Sequence, residues 1–200
     1  MRLGILGGSF DPPHVGHLLA ANDACARLTL DQLVFVPAGS QPFKAGQLVA
    51  TGEQRLAMVR AMVQGDPRYQ VSSLEVDRPG LSYTVDTLRH FASEFPAAER
   101  FLLLGADVLS TFSQWREPAE VARLARLVVM VRDGAPPEPE SAVAGLVSLR
   151  IPTRRIDISS SEIRERVRCG QSIRGFVLDE VAALIARDGL YREDARNAPC

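Results

Sequence analysis

The sequence predicts an α/β fold, built on a parallel sheet with helices on both faces. Short apolar runs alternate along the chain with segments of helical periodicity, and strands that alternate with helices of this length form parallel sheets. A length of 200 residues and a hydrophobic content of 46% suit one domain with a sizeable core. Because ligands of such sheets bind at the carboxyl ends of the strands, the loops after the strands are the first candidates for a site.

The individual elements follow from these runs, taken in chain order. Short apolar runs predict buried strands over 2–6, 33–36, 101–104 and 127–131. Apolar residues at helical spacing predict helices over 15–30, 53–63, 84–95 and 177–187, and a further helix that opens near Ser159. Residues 1–200 are predicted to form a single domain, with about 159–191 a helical part packed on its edge.

Charge and composition exclude several classes of function. The 23 basic and 24 acidic residues give a formal charge of −1, so the chain has no excess of basic residues that would favour nucleic acid. Polar residues follow the first strand too soon for a signal peptide, and no apolar stretch approaches the length of a membrane span. The three cysteines form no C-x-x-C pair and no cluster with histidine. These features predict a cytoplasmic protein without a metal site of its own.

The strongest motif is residues 7–17, GGSFDPPHVGH, directly after the first strand. Its glycines let the backbone approach a ligand closely, and its prolines preset the start of a helix. His14 and His17 are three residues apart in the first helical turn, so both face the positive end of the helix dipole. We expect Gly16 to keep the approach open for a bulky anion. The motif therefore predicts a phosphate site in which imidazoles donate hydrogen bonds to phosphoryl oxygens.

A second motif, residues 158–164, has the sequence ISSSEIR. Ser159 and Glu162 have the spacing of a capping box, which opens a helix. Hydroxyls and free N–H groups at a helix start, with Arg164 one turn later, suit a triphosphate tail. As a capping box alone the motif would be common, so its value lies in its pairing with residues 7–17.

Both motifs resemble signatures of the nucleotidyltransferase superfamily. Residues 7–17 resemble G-x-F-x-P-x-H-x-G-H, and residues 158–164 resemble I-S-S-T-x-x-R, with Ser161 in place of threonine. Five further segments look like bacterial nicotinate-nucleotide adenylyltransferases: 37–44, 81–88, 105–107, 112–115 and 188–191. The resemblance runs from residue 2 to about residue 191, which is nearly the whole chain.

This resemblance implies a Rossmann-like fold and transfer of AMP from ATP to nicotinate mononucleotide, giving deamido-NAD and pyrophosphate in NAD biosynthesis. It implies in-line attack by the 5′-phosphate of the mononucleotide, so catalysis rests on positioning and charge neutralisation. The implied catalytic residues are His14, His17, Lys44 and Arg164. The implied cofactor is Mg²⁺, carried mainly on ATP phosphates.

The resemblance also implies which residues contact each substrate. Those for ATP are Gly7, Gly8, Ser9, Phe10, His14, Gly16, His17, Gly105, Asp107, Ile158, Ser159, Ser160 and Arg164. Those for the mononucleotide are Ser9, Lys44, Ser82, Tyr83, Thr84, Asp107, Trp115 and Arg116. We expect Trp115 to stack on the pyridine ring and the helix start at Thr84 to receive the carboxylate. The alternative for Trp115 is a core anchor, and the role of Arg116 is open.

Two other functions fit part of the sequence. Pantetheine-phosphate adenylyltransferases share both motifs, but lack the Ser-Tyr-Thr segment and the late tryptophan. A catalytically silent nucleotide sensor would share the fold, but would not need to retain His14, His17 and Arg164. The expected partners are ATP and nicotinate mononucleotide, not nucleic acid or a membrane, and the sequence leaves a homo-oligomer open.

Overall fold

The computed structural model describes residues 1–40, 49–132, 145–154 and 156–192, without the side chains of Asp107 and Arg132. Within these residues, six parallel strands form one sheet in the order β3-β2-β1-β4-β5-β6. The strands are β1 (Arg2–Gly8), β2 (Gln32–Pro37), β3 (Tyr69–Val71), β4 (Glu99–Gly105), β5 (Arg126–Arg132) and β6 (Val147–Thr153). The predicted fold class is confirmed.

Helices connect the strands across both faces of the sheet. They are α1 (Val15–Leu28), α2 (Gly52–Val63), α3 (Leu74–Asp77), α4 (Thr84–Glu94), a 3-10 helix (Ala106–Gln114), α5 (Pro118–Leu124), α6 (Ser160–Arg168) and α7 (Asp179–Arg187). Side-chain caps fix two of the starts: Thr51 accepts the N–H of Gln54 at 3.2 Å ahead of α2, and Ser159 caps α6. None of the helices in the described ranges is long and apolar enough to cross a membrane.

Several short elements escape the sequence prediction. Strand β3 has 3 residues and helix α3 has 4, too few to show a period. Strand β6 lies at the edge of the sheet with most of its residues exposed or half-buried, so it lacks the apolar run of a buried strand. Helix α5 and the 3-10 helix were also not predicted, and strand β1 extends two residues beyond its predicted end, to Gly8.

Two apolar clusters cover the two faces of the sheet. One cluster joins α1, α2 and the helices after β6, and includes Phe35, Met58 and Val181. The other joins α4, the 3-10 helix and α5, and includes Leu88 and Phe112. Burial on both faces explains why the central strands are almost continuously apolar.

The strand order places a crevice beside β1. The chain runs outward from β1 to β2 and β3, then returns to the other side of β1 to make β4. The connections after β1 and β4 therefore leave the sheet in opposite directions, and the gap between them at the carboxyl ends of the strands is where ligands bind in open α/β sheets.

Candidate active site

The loop after β1 packs closely around a glycine and a buried aromatic ring. Phe10 has a left-handed backbone (φ 51°) and a side chain that is 2% exposed. Its ring packs edge-on against His17, with 5.0 Å between ring centroids. A Cβ at Gly8 would lie 2.9 Å from the Phe10 ring, so only glycine fits there. The prediction that Phe10 contacts ATP can therefore hold only for its main chain.

The two histidines of this loop lie together, as their spacing predicts. Their rings are stacked with centroids 3.7 Å apart, and the backbone N–H of His14 donates to Nδ1 of His17 at 3.2 Å. Because a backbone N–H can only donate, Nδ1 of His17 is an acceptor, and the proton of the neutral ring is on Nε2. His17 thus has the tautomer that can donate from Nε2 to a phosphoryl oxygen.

Gly16 lies against the imidazole of His14, a contact that the sequence does not predict. A Cβ at Gly16 would lie 2.9 Å from Nδ1 of His14, which is closer than a real side chain allows. The missing side chain therefore makes room for the imidazole of His14, which is buried against it. The expectation that Gly16 keeps the approach open for an anion stays a prediction.

The second motif contacts the first across the whole sequence. Ser159 caps α6 by accepting the N–H of Glu162 at 3.1 Å, which confirms the predicted helix start. Ser160 donates from Oγ to the carbonyl of Pro12 at 2.8 Å. Arg164 donates from Nη1 to the carbonyl of Asp11, also at 2.8 Å. We call residues 7–17 the phosphate loop, and these bonds place Arg164 directly beside it.

A cavity of about 640 Å³ opens beside the phosphate loop, at the carboxyl ends of β1 and β4. The sequence-predicted residues that line it are Gly7, Gly8, Ser9, Ser82, Tyr83, Thr84, Gly105, Trp115 and Arg116. The predicted mononucleotide residues that the structure describes with their side chains therefore come together in one place. Gly7, Gly8 and Ser9 belong to both the loop and the cavity wall, so the two predicted sites adjoin.

Two aromatic side chains shape the wall of the cavity. Trp115 is half-buried, with its ring tilted against buried Phe112 at 5.1 Å between centroids. It thus lines the cavity and also packs on the core, while stacking on the pyridine ring stays a prediction. The guanidinium of Arg116 lies 4.8 Å from the centre of the Tyr83 ring and forms an ion pair with Glu117 at 3.6 Å.

Glu75 is a cavity residue that the sequence reasoning missed. Its carboxylate is buried and accepts a hydrogen bond from Oγ1 of Thr87 at 2.6 Å. Burial raises the pKa of Glu75 above its ordinary value, and the hydrogen bond from Thr87 opposes that rise. Glu75 lies in the 4-residue helix α3, where no motif marks it. Thr87, Thr111 and Gln114 also line the cavity without having been predicted.

Two of the predicted residues cannot be placed. Lys44 lies outside the described residues, and so does the side chain of Asp107. Their roles toward ATP and the mononucleotide stay predictions. Ile158 is half-buried and packs against the cluster that contains Phe35, so its side chain supports the second motif from the core.

Comparison with known proteins agrees with this arrangement. The family described as cytidylyltransferase-like matches residues 5–166. A protein of Gemmatimonas aurantiaca named "Probable nicotinate-nucleotide adenylyltransferase" is 47% identical over 203 residues, covering 99% of this chain and 96% of that protein. A protein of Thermus thermophilus with the same name is 45% identical over 192 residues, covering 96% of this chain and 100% of that protein.

Solved structures share the fold at lower identity. The nicotinic acid mononucleotide adenylyltransferase of Plasmodium falciparum complexed with NaAD has a TM-score of 0.75 and 17% identity, covering 95% of this chain and 97% of that one. The same enzyme complexed with APC has a TM-score of 0.74 and 18% identity, covering 95% and 96%. At this identity the likeness establishes the fold.

Proposed function

The chain belongs to the nicotinate-nucleotide adenylyltransferase family, among the cytidylyltransferase-like proteins, and on this premise we propose how its residues divide the reaction. It is an adenylyltransferase of NAD biosynthesis, which transfers AMP from ATP to nicotinate mononucleotide and releases deamido-NAD and pyrophosphate. The main support for assigning ATP to the phosphate loop and the mononucleotide to the cavity is that the cavity adjoins the loop at Gly7, Gly8 and Ser9.

The bond changes require positioning more than side-chain chemistry. A 5′-phosphate oxygen of the mononucleotide forms a bond to the α-phosphorus of ATP, and the bond from that phosphorus to the bridging oxygen of the β-phosphate breaks. The electron pair leaves with pyrophosphate. Because the attacking group is already a phosphate, no side chain has to act as the nucleophile. The protein must align the two phosphates and offset the charge that develops between them.

The phosphate loop supplies the donors for that charge. His17 donates from Nε2 to a phosphoryl oxygen of the reacting phosphate, because its Nδ1 is occupied by the N–H of His14. His14, stacked on His17, contacts the phosphates beside it. Arg164 is held at the loop by the carbonyl of Asp11 and by Oγ of Ser161, at 2.8 and 3.2 Å, and its charge faces the departing pyrophosphate. Lys44 is proposed for the same tail on sequence grounds alone.

The cavity takes the mononucleotide. Its volume of about 640 Å³ falls within the roughly 300–1,000 Å³ of small-molecule sites. Trp115 offers an aromatic face to the pyridine ring, and the N-terminus of α4 at Thr84 offers N–H groups to the carboxylate. An amide in place of the carboxylate would gain less from that helix end, so we propose a preference for nicotinate over nicotinamide mononucleotide. From here on we call this space the acceptor cavity.

Mg²⁺ is proposed to arrive with the nucleotide. In the described part of the chain, no three His, Cys, Asp or Glu side chains are grouped to hold a metal ion. Phosphate oxygens of ATP and water are then the ligands, an arrangement that Mg²⁺ often adopts. The ion would neutralise charge on the leaving pyrophosphate. Mg²⁺ dependence, a cytoplasmic location and any homo-oligomer stay predictions.

A direct assay separates the candidate acceptors. Pyrophosphate release from ATP is measured with nicotinate mononucleotide, nicotinamide mononucleotide and phosphopantetheine as acceptors, each with and without Mg²⁺. We expect the highest kcat/KM with nicotinate mononucleotide. Turnover only with phosphopantetheine would identify the other adenylyltransferase class, and ATP binding without turnover for any acceptor would indicate a nucleotide sensor.

A further inference from the structure

Asp11, within the phosphate loop, has a buried carboxylate that joins distant segments of the chain. It is 2% exposed. Its carboxylate oxygens accept the backbone N–H groups of Val49 at 2.8 Å and Ala50 at 3.1 Å. They also accept the hydroxyl of Tyr191 at 2.7 Å, from a position 180 residues further along the chain. Hydrogen bonds to a charged acceptor are stronger than those between neutral groups, so these contacts hold the loop firmly.

A buried arginine completes this arrangement. Arg55 of α2 is 2% exposed and donates from Nη1 to the carbonyl of Ser9 at 2.8 Å and from Nε to the carbonyl of Ala50 at 3.3 Å. Burial lowers the pKa of Arg55, and the negative charge of Asp11 opposes that fall. Since a buried charge without compensation is costly, the two groups support each other beneath the loop.

Asp11 also contacts the proposed triphosphate side of the site, through its main-chain carbonyl. The carbonyl of Asp11 accepts the hydrogen bond from Arg164, while its carboxylate is fixed by Tyr191 and by the segment just before α2. A shift of Asp11 would therefore move Arg164 and the histidines of the loop together. Misplacement of about 1 Å is enough to cost roughly 10²-fold in rate.

We propose that Asp11, Arg55 and Tyr191 form a positioning network that fixes Arg164 and the phosphate loop for ATP. This inference rests on the proposed function and extends it to residues that do not touch the substrate. The network acts mainly on the phosphate side, because none of its three residues lines the acceptor cavity among the described residues and the hydrogen bond from Arg55 to the carbonyl of Ser9 is its contact with the cavity wall. It should therefore affect ATP much more than the mononucleotide.

The first test is Asp11→Asn, which keeps the shape of the side chain. The amide nitrogen of the introduced asparagine is a donor. It would therefore face at least one N–H or O–H group whose hydrogen bond the carboxylate of Asp11 accepts. We expect kcat/KM for ATP to fall about 10- to 100-fold, with the KM for nicotinate mononucleotide within twofold of wild type. Equal rises in both KM values, or unchanged ATP kinetics, would overturn the proposal.

Tyr191→Phe is the milder second variant, and Tyr69→Phe is its matched control. Tyr191→Phe removes one of the three donors to the carboxylate and should raise the KM for ATP about threefold. Tyr69 is a second buried tyrosine of the same core cluster, packed on Phe35, and its variant should match wild type. If Asp11→Asn fails to fold, Tyr191→Phe decides alone: an ATP KM equal to that of Tyr69→Phe rejects the network.

Calorimetric titration of ATP separates this inference from the proposed function. ATP binding needs no acceptor, so it reports on the network even if the wild-type chain fails to turn over nicotinate mononucleotide. If the wild-type protein does not turn over nicotinate mononucleotide but Asp11→Asn binds ATP more weakly than wild type, the proposed function is rejected and the network is kept. If the wild-type protein turns over normally and both proteins bind ATP equally well, the network is rejected and the proposed function is kept.

Discussion

The phosphate side and the acceptor cavity adjoin at Ser9 but are built in different ways. The phosphate side is tied by hydrogen bonds to main-chain groups, such as those of Ser160 to Pro12 and Arg164 to Asp11. The acceptor cavity is walled by side chains from separate segments, among them Glu75 and Trp115. Contacts to main-chain groups require particular residues in a fixed local order, so a short sequence motif can encode the phosphate side. A wall of side chains from separate segments requires only suitable shapes, so no short motif encodes the acceptor cavity.

The comparison predicts its largest effect at His17, the proposed donor to the reacting phosphate. His17→Ala should lower kcat about 10²–10³-fold, as loss of a preorganised donor commonly does, while ATP binding changes little. Steady-state pyrophosphate release and ATP titration measure the two quantities. His90→Ala is the control, because His90 is exposed on α4 and pairs with Glu94. Near-normal turnover by His17→Ala would remove His17 from the chemistry.

Arg164 should come next, with an effect concentrated on ATP. Arg164→Ala removes the proposed charge-assisted contact with the phosphates and should raise the KM for ATP about tenfold or more, with some loss of kcat because the charge is proposed to face the leaving group. Arg168→Ala, on the same helix and paired with Glu165, is the matched control and should match wild type. If the two variants have the same ATP saturation curve, Arg164 is a structural residue of the loop.

On the acceptor side we expect a smaller effect, and one that changes the KM for the mononucleotide rather than the KM for ATP. Trp115→Ala should raise the KM for nicotinate mononucleotide about three- to tenfold, the range of an aromatic stacking contact, and leave the KM for ATP nearly unchanged. Because Trp115 is the sole tryptophan of the chain, its fluorescence should respond to the mononucleotide and little to ATP. Trp115→Phe should lie between wild type and Trp115→Ala. A variant that unfolds without a selective binding defect would assign Trp115 to the core.

The smallest effect concerns stability and pH at Glu75. A carboxyl whose pKa is raised by folding contributes stability at low pH and loses it as the pH rises toward the folded value. Because burial raises the pKa of Glu75 from 4.5, Glu75→Gln should gain Tm relative to wild type as the pH increases above about 4.5. Thermal unfolding from pH 4 to 8 measures this difference. A difference in Tm that stays constant with pH would show that Glu75 does not titrate differently in the folded state.

The sequence was informative where one local rule determined the geometry. Spacing of three residues placed His14 and His17 together, and the capping pattern placed the start of α6 at Ser159. The central strands were predictable because burial on both faces makes them apolar throughout. Edge strands β3 and β6 were not, since one is too short and the other too exposed to show that pattern.

The remainder of the site depends on contacts between residues that are far apart in the sequence, and local sequence patterns do not predict such contacts. Glu75 lines the acceptor cavity from a short helix that packs beside β2, and Tyr191 reaches Asp11 from 180 residues away. The contact between Gly16 and His14 was missed for a related reason. The sequence shows that a side chain is missing there, but only the structure shows that the imidazole of His14 fills the space.

The long reach of Tyr191 also bears on how the enzyme is made. A ribosome releases the phosphate loop early, within the first twenty residues, yet the loop obtains Arg164 and Tyr191 only after most of the chain has been synthesised. A nascent chain that has emerged as far as β5 contains the central strands and both histidines of the phosphate loop, but lacks Arg164 and Tyr191, which is one of the donors to Asp11. The full set of contacts on the loop thus forms only when nearly the whole fold has been synthesised, and a chain interrupted before residue 191 would leave the carboxylate of Asp11 short of a donor.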